Sequence, residues 1–235
     1  MRTTTILAAT IVAAATAGAA HADMVNVKFV GTGKGENVAI GWAGGAMSVF
    51  SGQLKHQLSG GTGIGAGLSG TYVTYCTDLN ERVTNAVKSY SIVPVSATPG
   101  SVPMGAAKSA AIADLFGFAA GAQLNGSTSN ALAAAFQLAV WEIVQDYNPI
   151  VGLASLSLTG GSFTATKTNG TALSGTVLSA AAGLFASIGA EASPTPLMGL
   201  TNDGAQDQVL PGVVPAPGTI ALATLGLACA GRRRR

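Results

Sequence analysis

The chain has 235 residues, of which 48% are hydrophobic and only 9% charged, with 32 Gly, two Cys and two His. Of its 12 Lys and Arg, Arg2 and Arg232 to Arg235 lie in the two terminal segments, leaving seven against 10 Asp and Glu, so the body between them is mildly acidic. A nucleic-acid binder needs a basic face on its folded part, so nucleic acid is not an expected partner, and two His with two Cys leave too few ligands for a structural metal site.

In chain order, residues 1–22 read as a signal peptide: Arg2 gives a positive start, Ile6 to Ala20 an apolar run, and Ala20-His21-Ala22 a small-x-small cleavage site. The body, 23–210, begins with β-branched and aromatic runs separated by Gly-rich turns. Strands are expected at Val25–Val30, Asn37–Trp42, Met47–Leu54, Gly70–Cys76 and Ser89–Val95. The glycine clusters at 31–35 and 60–67 lack the Lys-Ser/Thr of a phosphate loop and read as turns.

Near residue 103 the period changes. Pro103 can open a helix whose Ala107, Ala110, Ala111, Leu115 and Phe118 recur at three- and four-residue spacing. A polar loop, 123–130, leads to a second helix from about Asn130 to Tyr147, ending before Pro149. Leu153 to Thr166 alternates like a strand pair, Gly175 to Gly189 reads as an Ala-rich helix, and Gln206–Leu210 as a last strand. The expected class is α+β: a β-rich barrel or sandwich with a helical insertion of two antiparallel helices and a smaller C-terminal β/helical portion. Residues 211–235 form a linker and tail, in which Thr219 to Gly231 is apolar and shorter than the roughly 20 residues of a full crossing.

Cys76 is the lone cysteine of the body, since Cys229 lies in the tail. A disulfide inside the body is therefore excluded. An unpaired thiol outside the cytoplasm calls for burial or another covalent fate. In the second helix, Gln137 sits in the apolar run Ala135-Phe-Gln-Leu-Ala-Val-Trp-Glu-Ile143, with Trp141 four residues on and so on the same side. A buried carboxamide must be satisfied or consumed.

Tyr75-Cys76 at a strand end and Phe136-Gln137-Leu-Ala-Val-Trp141 on a later helix resemble the motifs of thioester domains of bacterial surface adhesins. Ala135 departs from that pattern, which often has a hydroxyl residue there. The resemblance implies an internal thioester between the Cys76 sulfur and the Gln137 side-chain carbonyl. Tyr75, Phe136 and Trp141 are candidates to shield it from water, and Asp78 and Glu142 to move a proton. It further implies no cofactor, no turnover catalysis, and a nucleophilic ligand such as a glycan, a protein lysine or a polyamine.

The linker and tail, with Pro215, Pro217, a short apolar stretch and Arg232, Arg233, Arg234 and Arg235, are similar to the PEP-CTERM sorting signal of Gram-negative bacteria, although Ala216 stands where Glu is usual. That similarity implies an exosortase-type processing enzyme, transient anchoring in the inner membrane and delivery to the cell surface or extracellular matrix. The alternatives are a passive matrix protein of the same fold without a thioester, and a non-covalent glycan-binding module. A cysteine hydrolase is disfavoured, because the body's one histidine, His56, has no recognisable orienting partner in the sequence.

Overall fold

The computed structural model describes residues 23–120, 128–190 and 195–212. The signal-peptide and sorting-tail readings fall outside the described residues. Among those described, seven strands form one antiparallel sheet and three α-helices accompany it, an α+β arrangement. The strands are β1 (Met24–Trp42), β2 (Gly45–Thr62), β3 (Gly70–Cys76), β4 (Lys88–Val93), β5 (Thr164–Lys167), β6 (Leu197–Asn202) and β7 (Ala205–Pro211). The helices are α1 (Gly105–Ala120), α2 (Asn130–Asp146) and α3 (Gly175–Ser187).

The sheet order is β2-β3-β7-β6-β4-β1-β5, and β1 also pairs with β2, so the ladders of six strands run in a closed circuit. β1 makes this possible by its length. Its first residues, Met24 to Val27, pair with β4, and its far half, Val38 to Gly41, pairs with β5. Val25–Val30 and Asn37–Trp42, expected as two strands, are thus one strand that passes through the glycine cluster at 31–35 with register shifts. At the shift Gly35 faces Gly52, both with positive φ (158° and 152°); a Cβ on Gly35 would strike the Ser51 carbonyl and one on Gly52 the Lys34 carbonyl. Glycine lets the strand bend there instead of turning back.

The helices follow the sequence pattern more closely than the strands. α1 starts two residues after Pro103, at Gly105, which has a positive φ of +79°. α2 begins as expected: the Ser129 hydroxyl accepts from Leu132 N (3.0 Å), a side-chain N-cap. Ser174 caps α3 in the same way. The expected strand pair at 153–166 is absent; a 3₁₀ turn, Leu153–Ser155, precedes β5, which pairs with β1.

α2 is buried at every position from Ala133 to Val144, a property of a helix enclosed on all sides rather than of one with a single apolar stripe. It packs against β1 and β2 on one side and α3 on another. The Ser51 hydroxyl of β2 donates to the Ala134 carbonyl (2.9 Å), fixing the helix on the strand one turn before Gln137. The main core, including Tyr75, Cys76, Phe116, Phe136, Leu138, Ile143, Phe163 and Leu184, fills the space between strands and helices. A second cluster, Val25, Val27, Leu58, Tyr90, Ile92, Leu200 and Leu210, is contributed by strands alone.

Candidate functional site at Cys76 and Gln137

β3 changes partner along its length. From Gly70 to Thr74 it pairs with β2, ending at Leu54↔Thr74. From Tyr75 it pairs with β7, and Thr77 N donates to Asp207 O (3.0 Å). Main-chain groups of successive strand residues point to opposite sides. Because those of Thr77 face β7, those of Cys76 face the side of β2. The β2–β3 register would supply Gly52 there, but that ladder ends at Leu54↔Thr74, short of Gly52.

Gln137 fills that position. Its Oε1 accepts from Cys76 N (2.8 Å) and its Nε2 donates to Cys76 O (2.8 Å), so the carboxamide stands in for the missing strand residue. Both residues are almost fully buried, at 1% exposure each. The Cys76 thiol donates to the Asp78 carbonyl, which also accepts from Gln206 Nε2 (3.1 Å). Burial pushes the thiol's pKa far above its ordinary value. Trp141 and the Asp78 backbone favour the thiolate, the charges of Asp78 and Asp207 oppose it, and burial dominates. The resting sulfur is therefore a protonated thiol.

The pair borders a cleft of about 400 Å³. Phe29, Met47, Val49, Phe50, Leu79 and Trp141 supply much of its wall, and Gln206, Glu81 and Arg82 are among its polar lining. The β1–β2 hairpin is held near the loop after Cys76 by the Trp42 indole N–H, which donates to Asn80 Oδ1 (3.4 Å).

The expected site residues separate into two groups. Cys76, Gln137 and Trp141 come together at the cleft, consistent with the four-residue spacing on α2. Tyr75 and Phe136 do not line it. They pack with Phe116 in an aromatic cluster, with ring centroids 4.5 Å apart for Tyr75 and Phe136 and 4.7 Å for Phe116 and Phe136. Neighbours on a strand point to opposite faces, and neighbours on a helix are turned by about 100°. Residues adjacent to Cys76 and Gln137 thus back the site from within the core.

Asp78 and Glu142 also lie away from the cleft lining. The Asp78 carboxylate accepts from Asn80 N (2.8 Å) and borders a separate cavity of about 260 Å³ with Asp203 and Asp207. What Asp78 brings to the thiol is its carbonyl oxygen. Glu142 Oε1 accepts from Ser157 N (2.6 Å), while its other oxygen is buried without a hydrogen-bond partner. Burial raises its pKa to about 8; the Ser157 N–H lowers it and the Asp146 charge raises it further. His56 lies elsewhere, with Nδ1 2.8 Å from the Thr74 hydroxyl, which in turn donates to Gln208 Oε1 (2.8 Å). Burial lowers the His56 pKa to about 4.

The sequence reading missed the cleft walls on β1 and β2 and the role of Gln206. The alternation of Met47, Val49 and the residues between them marked a strand, but nothing local showed that its partly exposed face overhangs Cys76. Among the described residues no group of three or more His, Cys, Asp or Glu could hold a metal ion, and no helix is long and apolar enough to cross a membrane.

Neither a curated protein nor a solved structure matches the chain. Residues 213–235 match the PEP-CTERM protein-sorting motif. The end of the chain is thus a sorting signal, implying export, an exosortase as processing partner and a cell-surface or extracellular destination.

Proposed function

We propose that the exported body forms an internal thioester between Cys76 and Gln137 and uses it once, to attach covalently to a nucleophilic ligand at the cell surface or in the surrounding matrix. The observation that carries this reading is the buried Gln137 carboxamide, hydrogen-bonded to the Cys76 main chain beside a cleft that both residues line.

The chemistry follows from those contacts. The Cys76 sulfur adds to Cδ of Gln137, and negative charge grows on Oε1, which already accepts from the Cys76 N–H. A donor preplaced at a developing oxyanion lowers the barrier. The Cδ–N bond then breaks, and the nitrogen leaves as ammonia carrying the thiol proton. Confining both groups in one place supplies the effective concentration that a protonated thiol needs. In the second step a nucleophile adds to the thioester carbonyl, the C–S bond breaks, and the thiol regains a proton. The protein does not turn over.

A second reading rests on the same hydrogen bonds. Both polar ends of the Gln137 amide are satisfied by the Cys76 main chain, which is a sufficient structural reason for a buried glutamine in a passive surface protein of this fold. The intact mass of the exported protein separates the two. A deficit of one ammonia, abolished by Cys76→Ala and by Gln137→Ala, is expected for the thioester. An unmodified mass in freshly made protein, with no incorporation of added amines, would leave the amide as a structural clamp.

A further inference from the structure

Resting on the thioester reading, we infer that the cleft selects the attacking ligand by an apolar body, and that the ligand is a primary amine carried on an unbranched alkyl or an aromatic group. Three observations point to this class. First, the cleft that reaches Cys76 and Gln137 is walled by Phe29, Met47, Val49, Phe50, Leu79 and Trp141, and its volume of about 400 Å³ suits a small organic group. Met47, Val49 and Phe50 are partly exposed in the free protein, so a ligand body would complete their burial.

Second, the ionisable side chains in the lining are Cys76, Glu81 and Arg82, with no histidine among them. His56 is committed to Thr74, and the Asp78 carboxylate borders the other cavity. A hydroxyl nucleophile needs a base to take its proton as it attacks, and the lining offers a single carboxylate, that of Glu81, a class of base far weaker than an alkylamine. A neutral amine brings its own lone pair, adds to the carbonyl, and passes a proton to the departing Cys76 sulfur. The bonds balance without a further reactant: C–N forms, C–S breaks, and the thiol is restored.

Third, Glu81 and Arg82 put one charge of each sign beside the cleft, with Glu81 half-buried and Arg82 exposed. Neither sign dominates, so the lining has no acidic cluster to favour a polycation. A sugar amine or a polyamine would place polar or charged groups along the wall of Phe29, Met47, Val49, Phe50, Leu79 and Trp141, where they lose hydration.

The experiment uses the full chain, purified in detergent and followed by intact mass. It is offered n-alkylamines from methylamine to hexylamine, then 2-phenylethylamine, spermidine, glucosamine and hexanol. The alkylamines share nearly the same basicity, so differences in adduct rate report burial of the body. The expected result is an ammonia deficit that disappears as adducts form. The adduct rate should rise about fourfold per added methylene until the cleft is filled, the ratio given by about 0.8 kcal/mol per buried CH₂. Phenylethylamine should react quickly and glucosamine, spermidine and hexanol slowly. Met47→Gln should flatten the alkyl series. An ammonia deficit with equal rates across the amines, or with spermidine or glucosamine fastest, would overturn the selectivity and leave the thioester standing. No deficit and no adduct with any amine would overturn both.

Discussion

Gln137 and Glu142 are buried polar side chains five residues apart on one helix, and the fold treats them differently. Gln137 is neutral, and both ends of its amide meet main-chain groups of Cys76. Glu142 has one oxygen on Ser157 N and the other without a partner, and its pKa is raised to about 8. The first joins the helix to a strand end beside a cleft. The second joins it to the loop that follows. Asp146, one turn on, accepts from Phe163 N (2.8 Å) and holds the same loop farther along. The comparison teaches that α2 has one half bound to the Cys76 strand end and one half anchored to the loop that follows the helix. A buried polar side chain in this helix can therefore be assigned to one or the other by its partner.

The largest expected effect breaks the first half. Gln137→Ala leaves the Cys76 N–H and carbonyl buried without partners, and each such group costs about 1–3 kcal/mol. A loss of about 3 kcal/mol in chemical denaturation is expected, together with complete loss of the ammonia deficit. Gln137→Glu keeps the acceptor for Cys76 N but supplies no amide nitrogen to leave. It should lose the deficit as completely while destabilising less than the alanine variant. If both variants keep wild-type stability, the strand-mimic role of the amide is wrong.

A smaller effect isolates the anchoring half through pH. Glu142 binds its proton more tightly in the folded state (about 8 against 4.5 ordinarily), so its contribution is fully present below the ordinary value and is lost as pH rises toward 8. His56 has the opposite sign. Its folded pKa of about 4 lies below the ordinary 6.5, so stability is gained as pH rises between those values. Asp207, also raised by burial, adds a loss of the same sign as that of Glu142. The Glu142 slope is therefore clearest between about pH 6.5 and 8, above the His56 window. Thermal melts of the wild type should fall across that interval. Those of Glu142→Gln, which retains an acceptor for Ser157 N, should be flatter, with a difference on the order of 1–2 kcal/mol, set by a slope of about 1.4 kcal/mol per pH unit. Equal slopes in the two proteins would remove Glu142 as the titrating group.

The same contrast shows what the sequence could convey. The helices were legible because apolar spacing and caps act within a few residues: Ser129 sits just ahead of α2, and Gln137 and Trp141 share a face by simple periodicity. The pairing of Gln137 with Cys76 was legible only through a resemblance in two short motifs, since 61 positions separate them. The strand system was harder to read. A glycine cluster is a turn signal in isolation, yet between residues 31 and 35 it lets one long strand bend because Gly52 lies opposite Gly35. Short β6 was missed because its Leu197-Met-Gly-Leu200 run is brief and its partners, β4 and β7, are distant in sequence. Asp78 stands out in the sequence for its carboxylate, while the group that meets the thiol is its carbonyl. Which of a residue's groups faces a neighbour depends on where the chain turns, and side-chain identity does not encode that.

Ser51→Ala gives the smallest expected effect and tests whether the half of α2 that carries Gln137 is held from the strand side. The Ser51 hydroxyl donates to Ala134 O, a carbonyl within α2 that lies one turn before Gln137. Because that carbonyl is in the helix interior, it retains its own helical hydrogen bond when the hydroxyl is removed. The cost should therefore be that of one neutral hydrogen bond, about 1 kcal/mol, with little added penalty for an unsatisfied group. The informative measurement is the rate at which the ammonia deficit develops in newly made protein. If Ser51 sets the seating of α2 on β2, and through it the approach of the Gln137 carbonyl to the sulfur, the rate should fall severalfold while the final deficit stays complete. An unchanged rate with the same 1 kcal/mol loss would make the contact a packing feature and assign the positioning of Gln137 to its own hydrogen bonds with Cys76.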